Sequence, residues 1–422
     1  MPKIKQLDFE GQTIFCGIDV HKKSWRVNVR CDEFELEDYS QDPSEELLLK
    51  HLHKKYPGAS FKMAYEAGFS GFGIQRSLKS SGVSCIVVNP ADVPLTDKDK
   101  KRKSDRIDAR KICRHLSNNM LRPIYVPSIR MEHARALVRQ RIRLVRDQTR
   151  CKNKLWGFLM FHGLKLEMDK PNDYWSRKFL ESLKTLPGLT PLLRQSLDTA
   201  LEEYLMIRRL VGDMTKQIRI LSAQKSFASL QNLIQSIPGI GLLNSMVIIT
   251  ELQDMKRFKT LDKLCSYAGI VPDTASSAER TMVKGITHRS NNYLRPAIVE
   301  SSWVIIRKDP AMLHLYKKYC RKMVPNKAII KISRQVLNLT TLLPYSYLCR
   351  TKSTSSPLNG AFDVDLIPYQ YSFDRARTLN IDDYDKNNID IREILPADPR
   401  AVRFPIPVRT AGEVYGGQCP FA

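Results

Sequence analysis

Acidic residues are scarce in this 422-residue chain: 44 Asp and Glu stand against 68 Lys and Arg, a net charge of +24. A balance that basic favours a polyanionic partner; nucleic acid is the commonest, with an anionic membrane surface as the alternative. An apolar run long enough to span a bilayer is missing, and the opening MPKIKQLDFEGQ has no secretory leader, so no membrane partner is expected. The nine cysteines contain no CxxC pair and no Cys/His spacing suited to zinc. That excludes a structural zinc site and a disulfide framework, and points to a reduced, cytoplasmic, nucleoid-associated protein. Internal repeats of fixed period are absent too.

What is present is enough apolar material, 42% of residues, for two or three domains with real cores. Charge is uneven. From Thr351 to Ala422 ten acids face eight bases, a net of −2, which leaves +26 on the first 350 residues. Residues 12 to about 125 alternate strand-like and helix-like stretches. TIFCGIDV, KSWRVNVR, FKMAYEA and SCIVVNP read as strands, SEELLLKHLHKKY and GIQRSLKSS as helices, so a mixed sheet flanked by helices is expected over residues 1–128. Residues 129–227 read as helical. Met131, Ala134, Val138, Ile142 and Val145 form one apolar stripe, and Arg135, Arg139, Arg143, Arg146 and Arg150 form a basic stripe beside it. Such a stripe is either the solvated flank of a packing helix or a nucleic-acid face. Pro171 and TLPGLTP suggest a helical hairpin. Residues 228–350 read as a second, mainly α-helical unit. The tail, 351–422, is rich in Pro, Ser, Asp and Asn without periodicity and is expected to be poorly ordered.

Four carboxylates stand out. Asp19 closes one apolar strand and Glu66 another, where the glycines of EAGFSG permit a sharp turn. Asp105 and Asp108 lie three apart in KRKSDRIDAR and share a face if that segment is helical. Nine of the seventeen residues from Lys98 to Arg114 are basic, so these two acids interrupt a run built to attract a polyanion. Taken singly, each acid has a plain reading as a turn cap, a helix cap or a solvated face. Together they supply four hard oxygen donors, which suit Mg²⁺ or Mn²⁺. A pair of such ions can stabilise the entering and leaving oxygens of a phosphodiester displacement.

GIDVHKKSWRV, YEAGFSG, VVNPADV and KSDRIDARKI resemble the N-terminal domain of the DEDD transposases of bacterial insertion sequences, and SIPGIGLLNSMVIITEL, FKTLDKLCSYAGIVP and GITHRSNNYLRPAI resemble that family's C-terminal domain. The resemblance implies an α/β ribonuclease-H-like (RuvC-like) fold for residues 1–128, a helical or coiled-coil region, and a mainly α-helical transposase domain. It implies that Asp19, Glu66, Asp105 and Asp108 are the metal-holding catalytic tetrad. It further implies a nucleophilic serine acting together with the metal site, a structured guide RNA, double-stranded donor and target DNA, and a homo-oligomer, dimer or tetramer.

In AGIVPDTASSAERTMVKG the position matching the family's serine is Ser277, with Ser276 as the register alternative, because Ala278 stands where the family carries glycine. Without the resemblance this stretch is a serine-rich loop with no general base in sight. Lys101, Arg102, Lys103, Arg106 and Arg110, the arginines Arg135, Arg139, Arg143 and Arg146, and Lys284, Arg289 and Arg295 beside the serine are the expected nucleic-acid contacts. Gly239 and Gly241 join them, since IPGIG between two helices can present backbone N–H groups to a phosphate.

The expected activity is DNA strand cleavage and rejoining by serine attack on a phosphodiester, assisted by Mg²⁺ or Mn²⁺ and guided by RNA. One rival is a metal-dependent nuclease or resolvase that hydrolyses DNA with no covalent intermediate. The other is a non-enzymatic nucleic-acid-binding protein, in which the carboxylates do no chemistry.

Overall fold

The structure is a computed structural model that describes residues 9–94, 105–164, 174–277 and 280–351. The chain divides into two compact units, Met1–Ser128 and Ile129–Ala422. The tail beyond 351 lies outside the described residues.

The first unit is a five-stranded mixed sheet with helices. Strands β1 (Thr13–Val20), β2 (Trp25–Cys31) and β3 (Phe34–Gln41) form an antiparallel meander, while β4 (Ser60–Glu66) and β5 (Ser84–Val88) run parallel to β1, giving the order β3-β2-β1-β4-β5. β1 is the central strand, with Ile14, Cys16 and Ile18 buried on one face and Gly17 buried on the other. Those three apolar residues are fully buried, as are Val27 and Val29 of β2 and Met63 and Tyr65 of β4. Helix α1 (Glu45–Lys55) starts where the Ser44 side chain accepts a hydrogen bond from Leu47 N–H, and it buries Leu48 and Leu52 in this core. Helix α2 (Gly73–Ser80) follows β4, and α3 (Asp105–Ser117) follows β5. β3, whose sequence FELEDYSQ is too acidic to announce a strand, is an edge strand that needs only one apolar neighbour.

α3 lies directly on β1. A Cβ added at Gly17 would come within 2.3 Å of both the Ala109 carbonyl oxygen and the Cys113 amide nitrogen. Glycine at position 17 is therefore what lets the helix backbone seat against the strand.

Among its described residues the second unit is helical apart from one hairpin. Helices α4 (Ile129–Phe161) and α6 (Pro191–Ser222), with the short α5 (Arg177–Lys184) between them, pack antiparallel: Arg130 bonds Gln224, Arg141 bonds Thr215 and Lys154 bonds Glu203. Pro171 falls outside the described residues. One end of this pair has its own core, including Leu155, Leu159, Phe179, Leu197 and Tyr204. The other end joins α7 (Lys225–Gln235), α8 (Leu242–Leu252), α9 (Leu261–Ala268), α10 (Leu294–Lys308), α11 (Pro310–Cys320) and α12 (Pro325–Thr351) around a second core. Between α9 and α10 the chain forms a two-stranded ribbon, β6 (Pro272–Ser277) and β7 (Arg280–Ile286). The sequence had suggested a loop there. The β-branched residues Thr274, Thr281, Val283 and Ile286 suit extended backbone. No helix among the described residues is long and apolar enough to cross a membrane.

Candidate active site and nucleic-acid interface

The parallel register of β1 and β4 pairs Gly17 with Ala64 and ends at Ile18 and Tyr65. One residue further on each strand stand Asp19 and Glu66. Neighbours in register point to the same face, and alternation puts Asp19 with Gly17 and Glu66 with Ala64. Both carboxylates therefore belong to the face on which α3 packs, at the C-terminal ends of two adjacent strands. Both are half-buried. The Asp19 Oδ2 atom lies 3.0 Å from His21 Nε2, so a histidine that looked incidental in the sequence is a direct neighbour of the first carboxylate. The turn after Glu66 is pinned: the Tyr65 hydroxyl donates to the Gly71 carbonyl at 2.9 Å, and Ala67 N–H donates to the Val88 carbonyl at 2.7 Å.

The direction of α3 follows from two contacts. The Cys113 thiol donates to the Phe15 carbonyl at 3.2 Å, and Ala109 sits on Gly17. Moving back along the helix thus means moving forward along β1, toward Asp19. Asp105 is one turn before Ala109, about 6 Å of helix rise, and Asp108 adjoins it. The first turn of α3 is thereby carried to the same sheet end as Asp19 and Glu66. Asp108 is half-buried; the side chains of Asp105 and Arg106 are outside those described.

Would these residues suit Mg²⁺ or Mn²⁺? All four are hard oxygen donors borne by the converging ends of three elements, which fits such a cation in chemistry and backbone placement. Among the described residues no three His, Cys, Asp or Glu side chains already form a closed metal-holding group, and that set does not include the Asp105 carboxylate.

In the second unit Ser276 and Ser277 occupy the last two positions of β6, in register with Thr281 and Arg280 of β7. The base of this ribbon is closed by Thr287 N–H donating to the Val271 carbonyl at 3.0 Å. Arg295 ties the two flanks, its Nη1 donating to the carbonyls of Gly269 at 3.3 Å and Thr287 at 2.8 Å. Burial pulls the Arg295 guanidinium pKa down, which reflects how deeply it is used in this frame.

Several expected nucleic-acid contacts turn out to have structural duties. Arg139 grips the fully buried Glu251 of α8 with two hydrogen bonds, Nε to Oε1 at 2.6 Å and Nη2 to Oε2 at 2.7 Å. Burial alone would lower the Arg139 pKa; the bonds to Glu251 outweigh it and raise it. Asn291 completes the cluster, donating to Glu251 Oε2 at 2.8 Å while its Oδ1 accepts from the N–H groups of Tyr293 and Leu294 at the start of α10. The guanidiniums of Arg139 and Arg146 sit 4.6 and 5.3 Å from the Tyr293 ring centre, and Arg146 also donates to the Asn292 carbonyl. Arg139 thus has a structural partner: its charge is paired with a carboxylate inside the bundle, while 30% of its own side chain stays exposed. Burial, then the nearby Arg139, lowers the pKa of Arg135. Arg143 and Arg146 keep exposed surface.

Arg110, in the first unit, pairs with Glu35 at 2.6 Å and lies 3.5 Å from Asp38. Gly239 has φ +90°, and a Cβ there would meet the Ser301 carbonyl at 2.7 Å, so close packing on α10 already requires glycine. Gly241 is the N-cap of α8, with open space around it and no side-chain cap bond. Arg289 is exposed. Lys101, Arg102 and Lys103 lie outside the described residues, as does the side chain of Lys284. Sequence reasoning missed Glu251, which reads there as one polar residue inside an apolar helix.

Two family models match the chain. Residues 16–162 match a DEDD model of IS110 elements described as Transposase, and residues 231–317 match one described as Transposase IS116/IS110/IS902 family. The y4qE protein of Sinorhizobium fredii is 27% identical over 299 residues, 68% of this chain and 71% of its own. The transposase for insertion sequence element IS1111A of Coxiella burnetii is 26% identical over 257 residues, 61% of this chain and 67% of its own. The transposase for insertion sequence element IS1328 of Yersinia enterocolitica is 25% identical over 293 residues, 69% of this chain and 84% of its own.

Proposed function

We propose, from the premise that the chain belongs to the DEDD transposase family of insertion sequences, that it cuts and rejoins DNA strands to move such an element. Residues Asp19, Glu66, Asp105 and Asp108 would hold Mg²⁺ or Mn²⁺. When bound, the cation supplies charge stabilisation at the phosphate under attack. The order β3-β2-β1-β4-β5, with both strand-end carboxylates on the α3 face, supports the ribonuclease-H-like class for the first unit.

The nucleophile is Ser277, with Ser276 as the register alternative. Its Oγ attacks phosphorus, its proton passes to a carboxylate, one bridging P–O bond breaks, and the departing sugar oxygen takes up a proton. The product is a phosphoserine joined to DNA. A sugar hydroxyl of the second strand then displaces the serine, so rejoining conserves the phosphodiester and needs no ATP. A structured RNA from the element supplies sequence choice, which leaves backbone-binding charge as the protein's main task. A dimer or tetramer brings donor and target duplexes together.

The observation that carries the reading is that Asp19 and Glu66 each stand one position beyond the last registered pair, Ile18 and Tyr65, of two adjacent parallel strands, with the first turn of α3 brought to the same end. The test is incubation of protein, co-expressed RNA and labelled DNA with Mg²⁺, followed by a search for a covalent adduct and mapping of its residue. Ser277→Ala and Ser276→Ala are run in parallel. An adduct lost in one of them and retained in the other names the nucleophile. Cut DNA without any adduct supports hydrolysis instead.

A further inference from the structure

Beneath α3 lies an ionic cluster that the chemistry above does not use. Asp38 of β3 has a side chain only 6% exposed, and it stands between two arginines. One is Arg26 of β2, which reaches Asp38 Oδ1 with Nη2 and donates to Ser40 Oγ at 3.1 Å with Nη1. The other is Arg110 of α3, 3.5 Å from Asp38 Oδ2 and 2.6 Å from Glu35 Oε1.

The register shows why these groups meet. Gly17 pairs with Asn28 and Asp19 with Arg26; Asn28 in turn pairs with Asp38. Asp19, Arg26 and Asp38 therefore share the face on which α3 packs. Glu35 joins them because of a bulge. Val29 pairs with Glu37 and Arg30 with Glu35, so Leu36 is an extra residue that re-aims Glu35 onto the face of Asp38.

Burying such ions is a poor way to gain stability, since apolar groups of the same volume often do as well; it is a good way to fix one geometry. Here the geometry fixed is that of the carboxylate-bearing elements. Arg26 is the residue opposite Asp19, and Arg110 follows Asp108 by two positions on the helix. The seat of Ala109 on Gly17 works as a pivot for α3, and the ties from Arg110 to Asp38 and Glu35 set the rotation about it. A displacement of about 1 Å at a catalytic group can cost roughly 10²-fold in rate.

We infer that Asp38 is a positioning residue for the carboxylate site: through Arg26 it holds the strand residue beside Asp19, and through Arg110 the helix turn carrying Asp105 and Asp108. This rests on the carboxylate reading proposed above.

The measurement is Mn²⁺ affinity of the full-length protein without DNA, read from the free Mn²⁺ electron-paramagnetic-resonance signal, with the melting temperature recorded for each variant. Asp38→Asn keeps the volume and removes the charge. It is expected to weaken Mn²⁺ binding about tenfold, the scale of loss when a ligand's supporting partner is removed, and saturating Mn²⁺ is expected to restore DNA cleavage. Asp38→Asn with wild-type Mn²⁺ affinity overturns the inference, and so does cleavage that stays lost at saturating Mn²⁺ in a folded variant. Should Asp38→Asn not fold, Arg110→Gln decides, because Arg110 is 42% exposed and the helix keeps its seat on Gly17. Weaker Mn²⁺ binding upholds the assignment and unchanged binding overturns it. Asp19→Asn separates the two levels. If it binds Mn²⁺ normally, the carboxylate reading itself fails; if it does not, and the Asp38 and Arg110 variants do, only the positioning role falls.

Discussion

Asp19 and Glu251 each close an apolar run, TIFCGID on β1 and SMVIITE on α8, yet the structure treats them in opposite ways. Glu251 is fully buried, and protein donors fill its carboxylate: two bonds from Arg139 and one from Asn291. Asp19 keeps 19% of its side chain exposed, and its neighbour at 3.0 Å is a half-exposed histidine. A carboxylate whose lone pairs are taken by a guanidinium and an amide is a lock between helices. One at a strand end, with a second carboxylate at the end of the neighbouring strand, can serve a ligand. The difference lies in what each carboxylate faces, which depends on the fold rather than on the run of apolar residues before it.

Substitutions at the two places test this contrast. The largest effect is expected at the sheet end. Glu66→Gln or Asp19→Asn should lower strand cleavage at least ~10³-fold, about 4 kcal/mol of transition-state stabilisation, while DNA affinity and melting temperature stay near wild type. A variant that cuts DNA at the normal rate would remove the sheet end from the chemistry. Next comes the lock. Arg139→Ala strands a buried carboxylate and should cost about 3–5 kcal/mol of stability, seen as a lowered denaturation midpoint. If Arg139→Ala kept full stability but lost DNA affinity, the guanidinium would belong to the nucleic-acid face after all. Gly17→Ala is intermediate. The added methyl meets the α3 backbone, so a loss of about 1–3 kcal/mol is expected, with cleavage falling further than stability because α3 carries two of the carboxylates. Thermal melts and a cleavage assay on one preparation would separate the two losses.

The sheet end was legible in the sequence because strand ends and glycines leave clear marks. TIFCGID and FKMAYE have the apolar density of buried strands, and both acids come where that density stops. The cluster in the bundle was not legible. Arg139 sits in an arginine stripe that the sequence cannot divide into inward and outward members, and its partner is 112 residues away. β3 was hidden because an edge strand tolerates FELEDYSQ. The β6–β7 ribbon was hidden because its pairing is local backbone hydrogen bonding, which a serine-rich stretch does not signal. Gly239 shows a third limit: PGIG reads as a phosphate grip, and only the Ser301 carbonyl 2.7 Å from its missing Cβ reveals a close approach of α10.

Glu37 offers a third kind of carboxylate and the smallest effect. It lies on the sheet face opposite Asp38, where His51 Nε2 is 3.0 Å and Lys55 Nζ 2.8 Å from its oxygens. Burial alone would raise its pKa; hydrogen bonds from His51 and Lys55 outweigh that and bring it below the ordinary 4.5. A depressed carboxyl stabilises the fold fully above its unfolded value and loses that contribution as pH falls through the folded one. With Lys55 half-exposed and screened by solvent, the contribution is less than about 1 kcal/mol. Wild type should therefore melt slightly above Glu37→Gln at pH 7, and the gap should shrink as pH falls below 4.5. A gap that stays constant into acid would mean that the Glu37 side chain works through its shape rather than its charge. That would make it a packing residue, distinct from both the lock at Glu251 and the strand-end pair Asp19 and Glu66.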